Sequence, residues 1–227
     1  MMVTQQLVLG RLDLFSDKCE GRHGRELRAY LKSLTFPLPQ ELAPDQRDHV
    51  AEQNVELMLR MEDDHRAISY VSCWCAGGQI ESEAMWRIYA GAGASVALVL
   101  PYERLRDSLS GESVFIGNVT YFDYGKSVIP YGNVLLPLMF KRHEFSYEKE
   151  VRVIQWQHEY LDHNGQAKPD RPAVLTMPWN LQEHIEKIVI SPYTTPWQAQ
   201  AIRGITARLC PGLESKIIDS EMGGEPH

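Results

Sequence analysis

The densest cluster of reactive side chains in the chain is Lys141-Arg142-His143-Glu144-Phe145-Ser146-Tyr147-Glu148-Lys149-Glu150-Val151-Arg152-Val153-Ile154. If residues 148–156 are extended, the two-residue period of a strand puts Glu148, Glu150 and Arg152 on one face. Val151 and Val153 then face the core. Two carboxylates on one face repel, so one of them holds a proton near neutrality unless a cation intervenes. Lys141, Arg142 and Arg152 are the nearest cations in sequence. Such a set suits acid–base work or the stabilisation of developing charge. The same alternation also describes a solvated edge strand whose charges discourage pairing with other chains.

The flanking pattern supplies the elements that must position this cluster. Leu7-Val8-Leu9 reads as a strand entering a turn. Leu27, Tyr30, Leu31 and Leu34 recur at helical spacing over 22–34, and Phe36-Pro37-Leu38-Pro39 stops that helix. A second helix starts from Asp45 as N-cap, buries Ala51, Val55, Met58 and Leu59, and ends at Asp63 and Asp64. Residues 68–74 form a strand, Gly77-Gly78 a turn, and Ser82 caps a short helix. The continuous apolar run Ser95 to Leu100 predicts a buried central strand. Strands are also expected at 114–121, 173–177, 188–190 and 216–219. Val134 to Phe140 reads as helical, Asn180 with Glu183 as a capping box, and Thr195-Pro196 as the start of a last helix through Leu209. There is no internal repeat, low-complexity linker or composition break, so the expectation is a single α+β domain.

Composition narrows the classes. The 227 residues are 44% hydrophobic and 23% charged, as in ordinary soluble proteins. With 23 basic against 30 acidic residues the net charge is −7, which argues against strong binding to duplex nucleic acid through phosphate contacts. Four cysteines (19, 73, 75 and 210) form no disulfide framework. No signal peptide or long apolar run is present, which predicts a reducing, cytoplasmic setting and no membrane span. Cys73-x-Cys75 lacks a second pair, so no metal site is expected. Phosphate-loop, nucleophile-elbow and zinc-helix motifs are missing. Trp74, Trp86 and Tyr89 are of the type that stacks on a nucleobase or nicotinamide ring, and equally of the type that fills cores and rims. Asp123 with Glu148-x-Glu150 has the acidic spacing with which metal-dependent phosphodiesterases hold Mg²⁺, although glutamate replaces the usual lysine at the third position.

Several segments in order resemble the bacterial and phage domain-of-unknown-function family 2971. They are Arg11 to Gly21, Ser72-Cys73-Trp74, Glu81-Ser82-Glu83-Ala84-Met85-Trp86-Arg87-Ile88-Tyr89, Ile116 to Tyr124, Lys141 to Arg152 and Ile190-Ser191-Pro192. The resemblance implies one family-type domain over 1–227, lacking the family's first strand with its aromatic-Arg-Tyr stretch. Cys75 stands where the family has histidine.

A second resemblance bears on chemistry. Tyr147-Glu148-Lys149-Glu150-Val151 is similar to the E-x-E strand of ADP-ribosyltransferases, and Tyr70-Val71-Ser72 to the strand carrying their serine. It implies a split β-sandwich flanked by helices and an NAD cofactor. Glu150 would be the catalytic glutamate, supporting an oxocarbenium-like transition state, and Glu148 would orient the acceptor. Ser72, Trp74, Trp86, Tyr89 and Arg142 would serve the cofactor. Three functions follow: an NAD-dependent ADP-ribosyltransferase-like enzyme of toxin or phage-defence biology, acting on an unknown acceptor macromolecule; a non-catalytic binding or regulatory protein with a protein partner, on the same scaffold; or a Mg²⁺-dependent nuclease.

Overall fold

The computed structural model describes residues 4–33, 43–77, 81–91, 93–129 and 132–223. The Phe36-Pro37-Leu38-Pro39 stop, Leu34 and Gly78 lie outside them. In chain order the elements are β1 (Gln6–Arg11), α1 (Leu27–Ser33), α2 (Pro44–Ala67), β2 (Ser69–Cys75), α3 (Glu83–Met85), β3 (Val96–Val99), α4 (Tyr102–Asp107) and β4 (Val114–Asn118). There follow β5 (Thr120–Phe122), β6 (Phe140–Arg142), β7 (Glu150–Trp156), β8 (Val174–Pro178), α5 (Leu181–His184), β9 (Lys187–Ile190), α6 (Pro196–Leu209) and β10 (Ile217–Asp219). The fold is α+β, and the described residues form three sheets, ordered β4-β7-β2-β1-β8, β10-β9-β3 and β5-β6. No described helix is long and apolar enough to cross a membrane.

The chain divides into two compact units. One comprises Leu9–Cys75 and Ser113–Leu175, and the other Met1–Val8, Ala76–Glu112 and Thr176–His227.

In the first of these, β7 is central. It pairs antiparallel with β2 from Ser69↔Trp156 to Cys75↔Glu150, and with β4 from Val114↔Gln155 to Asn118↔Val151. Its first five residues are all buried, so both faces are covered. The solvated edge strand suggested by the alternating charges is therefore not what forms. Nor does the strand include Glu148, which ends a 3-10 turn over His143–Glu148. The apolar core beside it gathers Leu12, Val71, Leu138 and Ile154. Pro137 removes a backbone donor, so Val134 to Phe140 yields only the 3-10 turn Pro137–Met139 rather than a helix, and the chain then extends into β6.

The helix expected over 22–34 is shorter. Gly21 and Gly24 hold positive φ (75° and 119°), and a Cβ at Gly24 would collide with the Ser127 carbonyl, so the backbone there is committed to a loop. That loop is tied down by Ile129 N–H to the His23 carbonyl (2.7 Å) and Arg25 N–H to the Tyr124 carbonyl (3.0 Å). Helix α2 begins at Pro44 with Ala43 as N-cap, two residues ahead of the expected Asp45 cap, and Gln46 Oε1 accepts from Ala43 N–H (3.1 Å). It runs past Asp63 and Asp64 to Ala67. Leu27, Leu31 and Val55 join α1 to α2. The exposed pairs of Arg28 with Glu52 and Glu56 add little to this, as surface ion pairs do.

In the other unit β9 is the central strand, parallel to β10 and antiparallel to β3. The apolar run at 95–100 thus becomes an edge strand, half-buried over three of its four residues. The centre goes to Ile188, Val189 and Ile190, all buried. Sequence hydrophobicity ranks these two runs alike and cannot say which is flanked on both sides. Local capping follows the sequence: Ser82 accepts from Met85 N–H, Asn180 from Glu183 N–H, and Gln198 Oε1 from Thr195 N–H.

Candidate functional site

Lys149 sits in the left-handed region at φ 44°, a conformation that costs a non-glycine residue about 1 kcal/mol or more. It turns the chain between Glu148 and the first residue of β7, so Glu148 and Glu150 are brought together by a turn rather than by strand alternation. Tyr121 on β5 fixes this point, its hydroxyl accepting from Glu150 N–H (2.8 Å).

Around them lies a buried network of three carboxylates and two cations. The Lys141 ammonium on β6 lies 2.5 Å from Glu148 Oε2, 2.9 Å from Glu20 Oε1 and 3.2 Å from Glu150 Oε2. The Arg152 guanidinium grips Glu150 with Nε to Oε1 (2.7 Å) and Nη2 to Oε2 (3.1 Å). Its Nη2 reaches Glu20 Oε2 at 3.3 Å, and its Nη1 donates to the Leu138 carbonyl at 2.7 Å. The Arg152 side chain is fully buried and that of Glu150 is 2% exposed.

Electrostatics follows from this packing. Burial pulls the Lys141 and Arg152 pKa values down, but the carboxylates around them win and raise both. Burial pushes Glu150 up, and the charge and hydrogen bonds of Arg152 outweigh it, leaving Glu150 below its ordinary value. Cys73 as a whole residue is exposed, yet its sulfur lies against Glu150, and desolvation there together with that carboxylate holds the thiol above its usual range.

The sequence-predicted residues are placed as follows. Glu150 and Glu148 are in the network. Ser72 is opposite Val153 in the β2–β7 register, and Trp74 is opposite Val151. By strand alternation both project from the face opposite to Glu150 and Arg152, which share their face with Cys75 and Cys73. Arg142 pairs with Asp17 (3.0 Å) and lies over the Phe145 ring. Trp86 and Tyr89 belong to the other unit: Trp86 is buried with Nε1 donating to Glu81 Oε2 (2.7 Å), and Tyr89 is 63% exposed. Asp123 is exposed and engages Lys126 and Gly125 N–H. Among the described residues no group of three or more His, Cys, Asp or Glu is arranged to hold a metal ion. The position between the three carboxylates is filled by the Lys141 ammonium.

Glu20 is the member that sequence reasoning missed. It lies 132 positions from Arg152, and an isolated glutamate in a polar loop carries no sign of burial. At its neighbour Gly21 a Cβ would strike Leu12 and Arg66, a closeness that only the fold reveals.

A smaller buried set lies nearby in the same unit. Glu62 accepts from His23 N–H (2.7 Å), contacts His23 Nδ1 (2.8 Å) and pairs with Arg22 (3.0 Å). His65 packs edge-on against Trp156, and burial lowers its pKa below 6.5. A histidine kept neutral by the fold binds fewer protons than in the unfolded chain, so its contribution to stability is lost as pH falls below about 6.5. Thermal unfolding should therefore show a falling Tm from pH 7 to pH 5, with a shallower slope in His65→Gln; equal slopes would remove His65 from the account.

Comparison of the chain with protein-family models, with curated proteins and with solved structures gives no match.

Proposed function

We propose that this chain is a non-catalytic binding or regulatory protein, and that Glu148 and Glu150 belong to an internal brace rather than to an NAD site. The observation that carries this is the saturation of Glu150: Arg152 and Lys141 occupy both its oxygens and its side chain is 2% exposed. A carboxylate that supports a nicotinamide ribose needs an open side toward the sugar. Freeing Glu150 for that purpose would strip a fully buried guanidinium of its principal partner, at a cost of about 3–5 kcal/mol. Ser72 and Trp74, which the resemblance assigns to the cofactor, lie on the opposite face of the sheet. These residues do not fit NAD as one site. Four cysteines without a disulfide framework suit a reducing cytoplasmic setting, and the acidic balance a protein partner rather than duplex nucleic acid.

The ADP-ribosyltransferase-like reading, with its split sandwich, has one observation in its favour. The serine-bearing strand β2 and the glutamate-bearing strand β7 are direct neighbours in the sheet. Transfer of label from radioactive NAD⁺ into protein and nucleic-acid fractions of a cell extract separates the two. The expected result is no transfer and no nicotinamide release by the wild-type chain. Label that appears with wild type and vanishes with Glu150→Gln would replace the first reading by the second.

A further inference from the structure

The segment 16–24, which brings Glu20 to the buried network, contains no Val, Leu, Ile, Met, Phe, Tyr or Trp. Glu20, Gly21, His23 and Gly24 within it are nevertheless buried. Its side chains are held by charge. At one end Arg142 Nε donates to Asp17 Oδ2 (3.0 Å). At the other, Glu62 accepts from His23 N–H (2.7 Å) and pairs with Arg22 (3.0 Å). Glu20 stands between these anchors, with Oε1 2.9 Å from Lys141 Nζ and Oε2 3.3 Å from Arg152 Nη2. Gly21 and Gly24, both at positive φ, flank Arg22 and His23 and can absorb the backbone rotation of a hinge.

Two features make the Glu20 contact reversible. Glu20, Glu148 and Glu150 face Lys141 and Arg152, so three carboxylates against two cations leave one negative charge in excess. Without Glu20 the remaining four groups balance, Arg152 still grips Glu150, and Lys141 still reaches Glu148 and Glu150. A buried charge in excess is the costly member of such a set. The second feature is Arg66, which gives Nε to the Glu20 carbonyl (2.7 Å) while its Nη2 is buried without a partner. An unsatisfied donor under the segment disfavours the closed arrangement. Opening loses ion pairs that water replaces and pulls out no large apolar side chain of the segment itself. Elements of that kind open well below the free energy of global unfolding.

We propose that 16–24 is an autoinhibitory strap, and that Glu20 holds the place of a partner's carboxylate, an Asp or Glu side chain on an acidic peptide segment. Lys141 Nζ and Arg152 Nη2 are the receiving groups. This rests on the reading of the chain as a binding protein and names what it binds. The ligand class follows from the contact already made: a carboxylate on a separate segment, one oxygen to each cation. A phosphate would bring a second negative charge beside Glu148 and Glu150, which disfavours it. The closed strap lowers the apparent affinity by the fraction of molecules in which it is open.

Hydrogen exchange and peptide binding on the full chain test this. The amides of His23, bonded to Glu62, and of Ile129, bonded to the His23 carbonyl (2.7 Å), report on the strap. They should exchange about 100-fold faster or more than the ladder amides of β7. Fluorescein-labelled hexa-glutamate is the binding probe, with hexa-glutamine as control. A chain of net charge −7 repels this probe over most of its surface, so capture reports a specific site. Glu20→Ala removes the internal carboxylate, and Glu62→Gln loosens the strap without touching the receiving groups. Each should bind the probe about tenfold tighter or more than wild type does. Strap amides as protected as those of β7, equal affinities in all three proteins, or capture by none of them would overturn the proposal. Label transfer from NAD⁺ would instead remove the reading beneath it, so the two failures are distinct.

Discussion

Arg152→Met should destabilise the unit that contains β7 by about 3–5 kcal/mol, lowering its Tm by roughly 10 °C. Methionine fills much of the space of the arginine stem, so the loss measures charge rather than a cavity. The substitution removes both hydrogen bonds to Glu150, the contact with Glu20 and the donor to the Leu138 carbonyl. What remains is a buried carboxylate trio facing a single ammonium, and an uncompensated buried charge is far more costly than the pair was stabilising. Arg152→Lys should recover only part of the loss, because a point charge cannot grip Glu150 with two parallel bonds. Urea unfolding checks both values; a loss below about 1 kcal/mol for Arg152→Met would mean that the network does not brace the fold.

Lys141→Met should show a loss that grows with pH. In the wild type the depressed Glu150 contributes stability that is present above the ordinary carboxylate value near 4.5 and is lost as pH falls through its lower folded value. Without the ammonium, Glu20, Glu148 and Glu150 lose the cation they share, and mutual repulsion with burial drives at least one of them upward. A group whose folded pKa is raised is fully tolerated below its unfolded value and destabilises as pH rises through the folded one. The difference between variant and wild type should therefore be small near pH 4 and reach about 3–5 kcal/mol at pH 7. Comparing the two proteins at each pH cancels other titrations, such as that of His65. A difference that stays constant with pH would contradict the shared-charge picture.

Much of the scaffold was legible in the sequence. The strands at β2, β4, β8 and β9 and the caps at Ser82 and Asn180 follow from local pattern, because hydrophobic period and capping act within a few residues. What failed is non-local. Glu148, Glu150 and Arg152 look like a solvated face because polar residues in alternation normally are one, and only Glu20 and Lys141, arriving from separate segments, make burial tolerable. Strand membership was misjudged at Glu148 because Lys149, an ordinary lysine, adopts a left-handed turn that its type does not announce. The placement of Ser72 opposite to Glu150 depends on the register of β2 on β7, and one residue of slip would have reversed it.

The central claim is that Glu150 holds the fold together. Urea unfolding of Glu150→Gln tests it most directly. Glutamine keeps the shape, removes the negative charge between Lys141 and Arg152, and turns an amide N–H₂ toward one of them. A drop of about 3 kcal/mol or more, with the denaturant slope unchanged, is the expected result. A variant as stable as wild type would contradict the brace and return Glu150 to the residues available for chemistry.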